Sequence, residues 1–226
     1  MISEISRECF LDNLSKKRGN IPEKIKALSA LAAYSDGPRF FKTGPSLLFI
    51  FGKEVLIFGN GYSPLELKAF LSFLGITSIG GNCEKLSGEM KELIVMLAKG
   101  ADTDNCIKSD ILSSARLFSS VFGGNADDIY PDLCIRINKS AGRLFSTENG
   151  ACFLHTSSIG NLLTAVAVKE DFRGKGEGSR LVKSAVNAAS GKVFIVCEES
   201  KRGFYEKCGF SIYGKSAEVS ISGGDI

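Results

Sequence analysis

Between the apolar run 162–168 and a helix-spaced stripe of Leu181, Val182, Ala185, Val186 and Ala189 stands Arg173-Gly174-Lys175-Gly176-Glu177-Gly178-Ser179. Strand, glycine loop and helix in that order make an anion receptor. The first helical turn leaves backbone N–H groups unpaired, and the macrodipole adds partial positive charge there. The glycines let backbone approach a phosphate without interference from a Cβ. Arg173 and Lys175 add full charges, and Ser179 adds a hydroxyl. The bland alternative is a solvated turn with surface cations; three alternating glycines at a strand-to-helix junction argue against it. A second apolar run at 193–197 follows the helix, so this part of the chain reads as α/β.

Two common phosphate loops do not fit. A Walker A loop requires Lys immediately before its Ser or Thr, and Gly178 precedes Ser179. The dinucleotide fingerprint GxGxxG fails at its last glycine, where Ser179 stands, although Glu198 lies at the expected distance beyond it. The loop also comes late in the chain, after a hairpin rather than at the start of a parallel βαβ series.

The remaining sequence alternates helix and strand signals. Ile25, Leu28, Leu31 and Ala32 repeat at helical spacing, and Asp36-Gly37-Pro38 ends that helix. Short strands at 47–51 and 55–58 form a hairpin. Ser63-Pro64-Leu65-Glu66 is a capping box with Pro at the first helical position, followed by a buried stripe of Leu67, Phe70, Leu71 and Leu74. A strand at 76–79 and a helix at 87–98 complete the first half. The polar stretch 99–105 reads as a linker, so we expect an N-terminal α/β region at 1–100 and a second domain at 101–226. In the latter, Ile107, Ile111, Ala115, Phe118 and Phe122 specify a helix, with a shorter one at 128–137. Strands at 143–146 and 151–156 flank the turn Glu148-Asn149-Gly150. The continuous run 162–168 predicts a strand buried on both faces, and a short helix is expected at 201–208. Hairpin, helix and strand at 47–79 repeat the order at 151–197, so the first half is a candidate degenerate half copy of the second.

Composition closes several function classes. No apolar stretch approaches the roughly 18–20 residues that a bilayer-spanning helix needs, so no membrane partner is expected. The opening MISEISRECF shows neither a basic nor an apolar leader pattern, and a cytoplasmic protein is predicted. Residues 1–100 carry 13 basic and 10 acidic side chains and residues 101–226 carry 15 of each, so no basic face for nucleic acid is implied. The 7 cysteines are odd in number and lack CxxC spacing, and there is 1 histidine, which predicts reduced core thiols and no metal.

Arg173-Gly174-Lys175-Gly176-Glu177-Gly178 matches the [QR]xxGx[GA] signature in full, and Phe204-Tyr205-Glu206-Lys207-Cys208-Gly209-Phe210 matches the pattern (F/L)YEKxGF. With these two motifs at this spacing, residues 105–222 resemble the GNAT acyltransferase superfamily. The resemblance implies a mixed central sheet flanked by helices and acetyl-CoA as acyl donor, held where the fourth and fifth strands splay apart. Carried onto this sequence, the backbone of Val166, Ala167 and Val168 would hold the pantetheine arm. Arg173, Gly174, Lys175, Gly176, Glu177, Gly178 and Ser179 would cradle the pyrophosphate. Direct attack of an amine on the thioester is implied, with Tyr205 as the acid that protonates the leaving thiolate. Glu198, near the end of the fifth strand, would accept the amine proton or bind a cationic acceptor; it departs from the Asn often found there. The acceptor would be a small-molecule or peptide amine. A homodimer is a family-level expectation, and residues 1–100 would complete the acceptor pocket or form a dimer surface.

His155 lies beside Phe153 and Leu154 and reads as a structural residue or pocket wall rather than a base. Phe40, Phe41, Phe49, Phe51 and Phe58 read as strand core. The rival function is a non-catalytic acyl-CoA-binding or sensor module that holds the cofactor without acceptor chemistry.

Overall fold

A computed structural model describes residues 1–86, 89–103 and 109–220. The chain folds into two compact units: one from residues 1–27, 34–93 and the chain from Lys215, the other from Leu28–Ala33 and Ile94–Gly214.

The first unit begins with β1 (Ile2–Glu4), α1 (Arg7–Lys16) and α2 (Ile21–Ala33), the last crossing into the second unit at Leu28. β2 (Arg39–Thr43), β3 (Ser46–Phe51) and β4 (Glu54–Phe58) form an antiparallel meander. α3 (Pro64–Phe73) then carries the chain over to β5 (Ser78–Gly81), which runs parallel to β4. At the start of α3 Pro64 occupies the first turn and Ser63 Oγ accepts from the Glu66 N–H, but the capping box is only half made, because the Glu66 carboxylate accepts from the Ile2 N–H rather than from Ser63. Leu67 and Leu71 of α3 pack with Leu48, Ile50, Val55, Ile57 and Ile79 on one face of the sheet. On the other, the fully buried Phe10 stacks near Phe40, Phe49 and Phe58, with centroids 5.0, 5.8 and 6.2 Å away. Of the phenylalanine group, Phe41, Phe49 and Phe58 are core, whereas Phe40 and Phe51 are half-buried.

β6 (Glu89–Lys99) corrects the helix expected at 87–98; residues 87 and 88 lie outside the described residues. Its apolar stretch is too short for periodicity to separate strand from helix, and Met, Leu, Lys and Glu lean towards helix. Pairing decides instead, with Val95 opposite Val196, Met96 opposite Ile195 and Leu97 opposite Phe194 in β10.

The second unit contains α4 (Ile111–Phe122), α5 (Ala126–Asn138), β7 (Gly142–Ser146), β8 (Gly150–Ser157), β9 (Gly160–Val168), α6 (Glu177–Ala188), β10 (Lys192–Cys197) and α7 (Arg202–Lys207). Ile107, the proposed first position of the α4 stripe, lies outside the described residues. The strand order is β6-β10-β9-β8-β7, with β9 and β10 parallel and the other pairs antiparallel. α6 covers one face through Leu181, Val182 and Ala185, packed with Cys152, Leu154 and Leu163. α4 and α5 cover the other through Ala115, Phe118 and Leu133, packed with Leu144, Phe153 and Ala167. β11 (Ser211–Ser220) ends in the first unit, where Glu218 and Val219 pair with Gly80 and Ile79 of β5.

Both units therefore share one order: two helices, a three-stranded antiparallel meander, a helix, and a parallel fourth strand. The repeat legible at 47–79 and 151–197 is present in the topology.

Burial pushes the Cys83 thiol up to about 11. It does the same for Cys197, up to about 11, with the Glu199 and Glu198 carboxylates adding to the effect. The enclosed Cys152 thiol is raised by burial alone. A folded state that holds thiol protons more tightly than the unfolded chain keeps that stability below the unfolded thiol value of about 8.5, and loses it as pH rises through the folded values. The unfolding midpoint is expected to stay level up to about pH 8.5 and then fall by several degrees towards pH 11, as scanning fluorimetry under reducing conditions would show.

Candidate active site

β9 and β10 are neighbours for only part of their length. Their parallel ladder joins Val193 to Asn161 and Phe194 to Leu162. Beyond it β9 runs on to Val168 along β8, while β10 follows β6. On the β8 side, Phe153 faces Thr164 but Ala151 faces Ala167, so β9 carries an extra residue at this point. Ala165 sits in that bulge with φ +50°, a left-handed conformation that a residue with a Cβ rarely adopts. A bulge bends its strand and sharpens its twist, which turns this end of β9 away from β10. This corrects the expectation of burial on both faces: residues 161–163 are buried, whereas Thr164, Ala165, Val166 and Val168 are half-buried. The strand composition could not report this, because the opening depends on where the neighbouring strand goes.

The glycine loop begins where β9 ends. A single 3₁₀ turn, Glu170–Phe172, leads into it. Arg173 Nε donates back to the Val168 carbonyl at 3.3 Å, and Lys175 Nζ lies 5.3 Å from the centre of the Phe172 ring. Gly174 and Gly176 have φ +75° and +85°. Gly176 is the N-cap of α6 and supplies no side-chain cap, so the first-turn N–H groups of Glu177, Gly178 and Ser179 face outward. A Cβ on Gly178 would lie 3.4 Å from Phe204 Cζ and 3.6 Å from Val168 Cγ2; this glycine lets the helix start close against β9 and α7.

Glu177 places a carboxylate in the same turn, yet its charge is engaged. Arg180 donates to it at 2.9 Å and the Thr147 hydroxyl donates to the same oxygen. Those bonds hold it below the usual carboxylate range, Arg180 first and Thr147 second. Nothing at Thr147 in the sequence signals this role, since the contact joins the β7–β8 turn to α6.

Tyr205 on α7 belongs to the cluster that includes Cys197 of β10 and Cys152 of β8, against which Val166, Val168 and Phe204 pack. Its ring is 8% exposed, tilted against Phe204 and Phe210 at 4.8 and 5.8 Å. Burial pushes its hydroxyl well above the ordinary tyrosine value, and the neighbouring Cys197, Cys152 and Cys208 thiols add to that. No hydrogen bond to this hydroxyl occurs among the described residues. Glu198 follows β10 directly and is exposed, accepting from Ser200 Oγ at 3.3 Å. Glu199 and Glu206 are both bridged by Arg202, at 3.3 and 2.8 Å. The two acid–base candidates thus differ: Tyr205 lies in the apolar cluster lining the β9 opening, and Glu198 at the solvent side of a strand end.

His155 is buried, and its Nδ1 lies 3.1 Å from Ser29 Oγ. Ser29 spends its single proton on the Ala141 carbonyl at 2.7 Å and also accepts from Arg136. With that proton spent, Nδ1 is left to donate to Ser29, which ties the imidazole into a buried network with Ser29, Arg136 and the Ala141 carbonyl. Among the described residues no group of three or more His, Cys, Asp or Glu is placed to hold a metal ion, and no helix is long and apolar enough to cross a membrane.

Residues 140–212 match the acetyltransferase (GNAT) domain family. The C-terminal half carries a GNAT acetyltransferase domain. A putative acetyltransferase from Pyrococcus horikoshii has a similar structure, with TM-score 0.60 and 12% identity over 98% of this chain and 89% of that one. A GCN5-related N-acetyltransferase from Kribbella flavida gives TM-score 0.57 and 12% identity, covering 92% of this chain and 98% of its own. A tandem GNAT protein from the clavulanic acid biosynthesis pathway gives TM-score 0.54 and 9% identity, covering 100% of this chain and 99% of that one. At these identities the likeness is one of fold, and it extends over the half that precedes the GNAT domain. No curated protein matches the chain by sequence. Within the GNAT domain, the match contains the bulged strand β9, the glycine loop and Tyr205.

Proposed function

We propose that this chain is an acetyl-CoA-dependent N-acetyltransferase that passes the acetyl group directly to an amine, with residues 101–226 as the catalytic body. The observation that carries the reading is the opening of β9 from β10 immediately beside the uncapped start of α6. An extended amide-bearing arm can pair with the open edge of β9 at Val166, Ala167 and Val168, as a strand would. The N–H groups from Gly174 through Ser179, together with the Arg173 and Lys175 cations, suit a pyrophosphate, while the Arg173 N–H itself is spent on the Glu170 carbonyl. The donor supplies an activated thioester. The amine nitrogen attacks its carbonyl carbon, the C–S bond breaks, and the thiolate takes a proton from Tyr205. Glu198 accepts the proton lost by the amine, directly or through water, or draws a cationic acceptor to the strand end. Holding donor and amine in one complex supplies much of the acceleration.

Thermal unfolding with excess acetyl-CoA, and with NAD as control, tests the binding step. A donor at about 100 times its Kd adds roughly 2.7 kcal/mol, about 5–10 °C here, whereas NAD leaves the midpoint in place. Release of free CoA thiol with a panel of amines then tests transfer. A shift without thiol release from any amine would mark the chain as an acyl-CoA-binding module, and equal shifts with NAD would sink the assignment of the loop.

A further inference from the structure

In the first unit β4 holds the place that β9 holds in the second, but its surroundings differ. β4 and β5 stay paired from Glu54 to Ile57, and a Cβ on Gly81 would run into the Ile57 carbonyl. The end of the pair is tied by Asn82, whose Oδ1 accepts from the Gly59 N–H at 2.7 Å and from Asn20 Nδ2 at 2.7 Å. α3 is capped by its own Ser63. An extended arm has no open strand edge here.

A cavity of about 240 Å³ nevertheless remains at the end of β4, bordered by Lys17, Arg18, Asn20, Asn60 and Asn82. Its charged lining residues are both cationic, and no carboxylate lines it. Lys17 Nζ donates to the Pro45 carbonyl, which leaves two of its N–H groups for another acceptor. Arg18 is exposed and forms no ion pair among the described residues. The Asn82 amide oxygen is spent on Gly59 and Asn20, so its NH₂ group is the part left to donate. Asn20 gives its NH₂ to Asn82 and to the Ile57 carbonyl, so its oxygen is left to accept. Cations and an amide donor, with one acceptor among them, match a tetrahedral oxyanion that also carries a hydroxyl to donate to that acceptor.

We propose that this cavity is a second anion site, separate from the glycine loop, that takes phosphate or a small phosphate monoester. The test is thermal unfolding of the full chain in millimolar inorganic phosphate, and in glycerol 3-phosphate, against sodium chloride of matched ionic strength. The expected result is a rise of about 2–5 °C over the chloride control. Arg18→Glu and Lys17→Met should each abolish that rise while keeping the shift given by acetyl-CoA. Arg18 is exposed, so its variant tests the charge without disturbing the fold. A larger shift with the ester assigns a phosphorylated metabolite; equal shifts assign the free ion. The proposal is overturned if phosphate does no more than chloride, or if its effect survives both substitutions. It is also overturned if saturating acetyl-CoA removes the phosphate shift, since the ion would then have occupied the α6 loop. None of these outcomes depends on whether the chain transfers an acetyl group.

Discussion

Tyr205→Phe is expected to lower the rate of acetyl transfer by on the order of 10²-fold or more, while the Kd for acetyl-CoA stays the same. The substitution removes one oxygen and leaves the ring in its cluster with Phe204 and Phe210. The hydroxyl makes no hydrogen bond among the described residues, so its loss should change stability by less than about 1 kcal/mol. Burial raises its pKa above the ordinary value of 10, and a raised pKa means the proton is held throughout the working range. If Tyr205 is the proposed acid, its own ionisation should produce no alkaline fall in rate below about pH 10. Single-turnover measurement separates this step from product release. An unchanged single-turnover rate would reduce Tyr205 to a packing residue.

Gly176→Val should weaken acetyl-CoA binding by more than about tenfold, which corresponds to about 1.4 kcal/mol. No atom lies within 4 Å of the position its Cβ would take, so crowding is not the cause. Backbone conformation is. At φ +85° a β-branched residue is strained by roughly 1–2 kcal/mol, and relief through a negative φ re-aims the N–H groups that begin α6. Gly191, at φ +80° with equally open space, is the control in the α6–β10 turn. Gly191→Val should carry a similar stability loss and leave binding intact. Calorimetric titration of both variants checks the pair. Equal losses of affinity would show that strain anywhere in the unit, rather than the geometry of the loop, governs binding.

Much of the site was legible because its signals are local. Ser63-Pro64-Leu65-Glu66 starts α3 through a bond made within one turn. Alternating glycines before an amphipathic stripe set the left-handed turns at 174 and 176 and leave α6 uncapped. The order of hairpin, helix and strand showed the internal repeat, since each of those elements carries its own periodicity.

Other features depended on partners far along the chain. The stretch 89–99 reads as helix by residue preference and is a strand because β10 offers it a ladder. Run 162–168 has the composition of a fully enclosed strand, yet it opens because Ala165 bulges against β8 and β10 diverges towards β6. Thr147 holds Glu177, and Ser29 fixes the proton of His155; neither pair is marked by sequence spacing. The two compact units are also assembled from non-contiguous segments, which no linker composition could reveal.

By itself, then, the sequence determined the anion-receiving loop, the helix that follows it and the repeated order of elements. These depend on backbone preference and on periodicity over a few residues. Only the tertiary structure decided that β9 is open while β4 is closed. Both strands are apolar and both precede a helix, and what separates them is the path of the neighbouring strand. That path is set by packing and pairing over distances a local pattern does not encode.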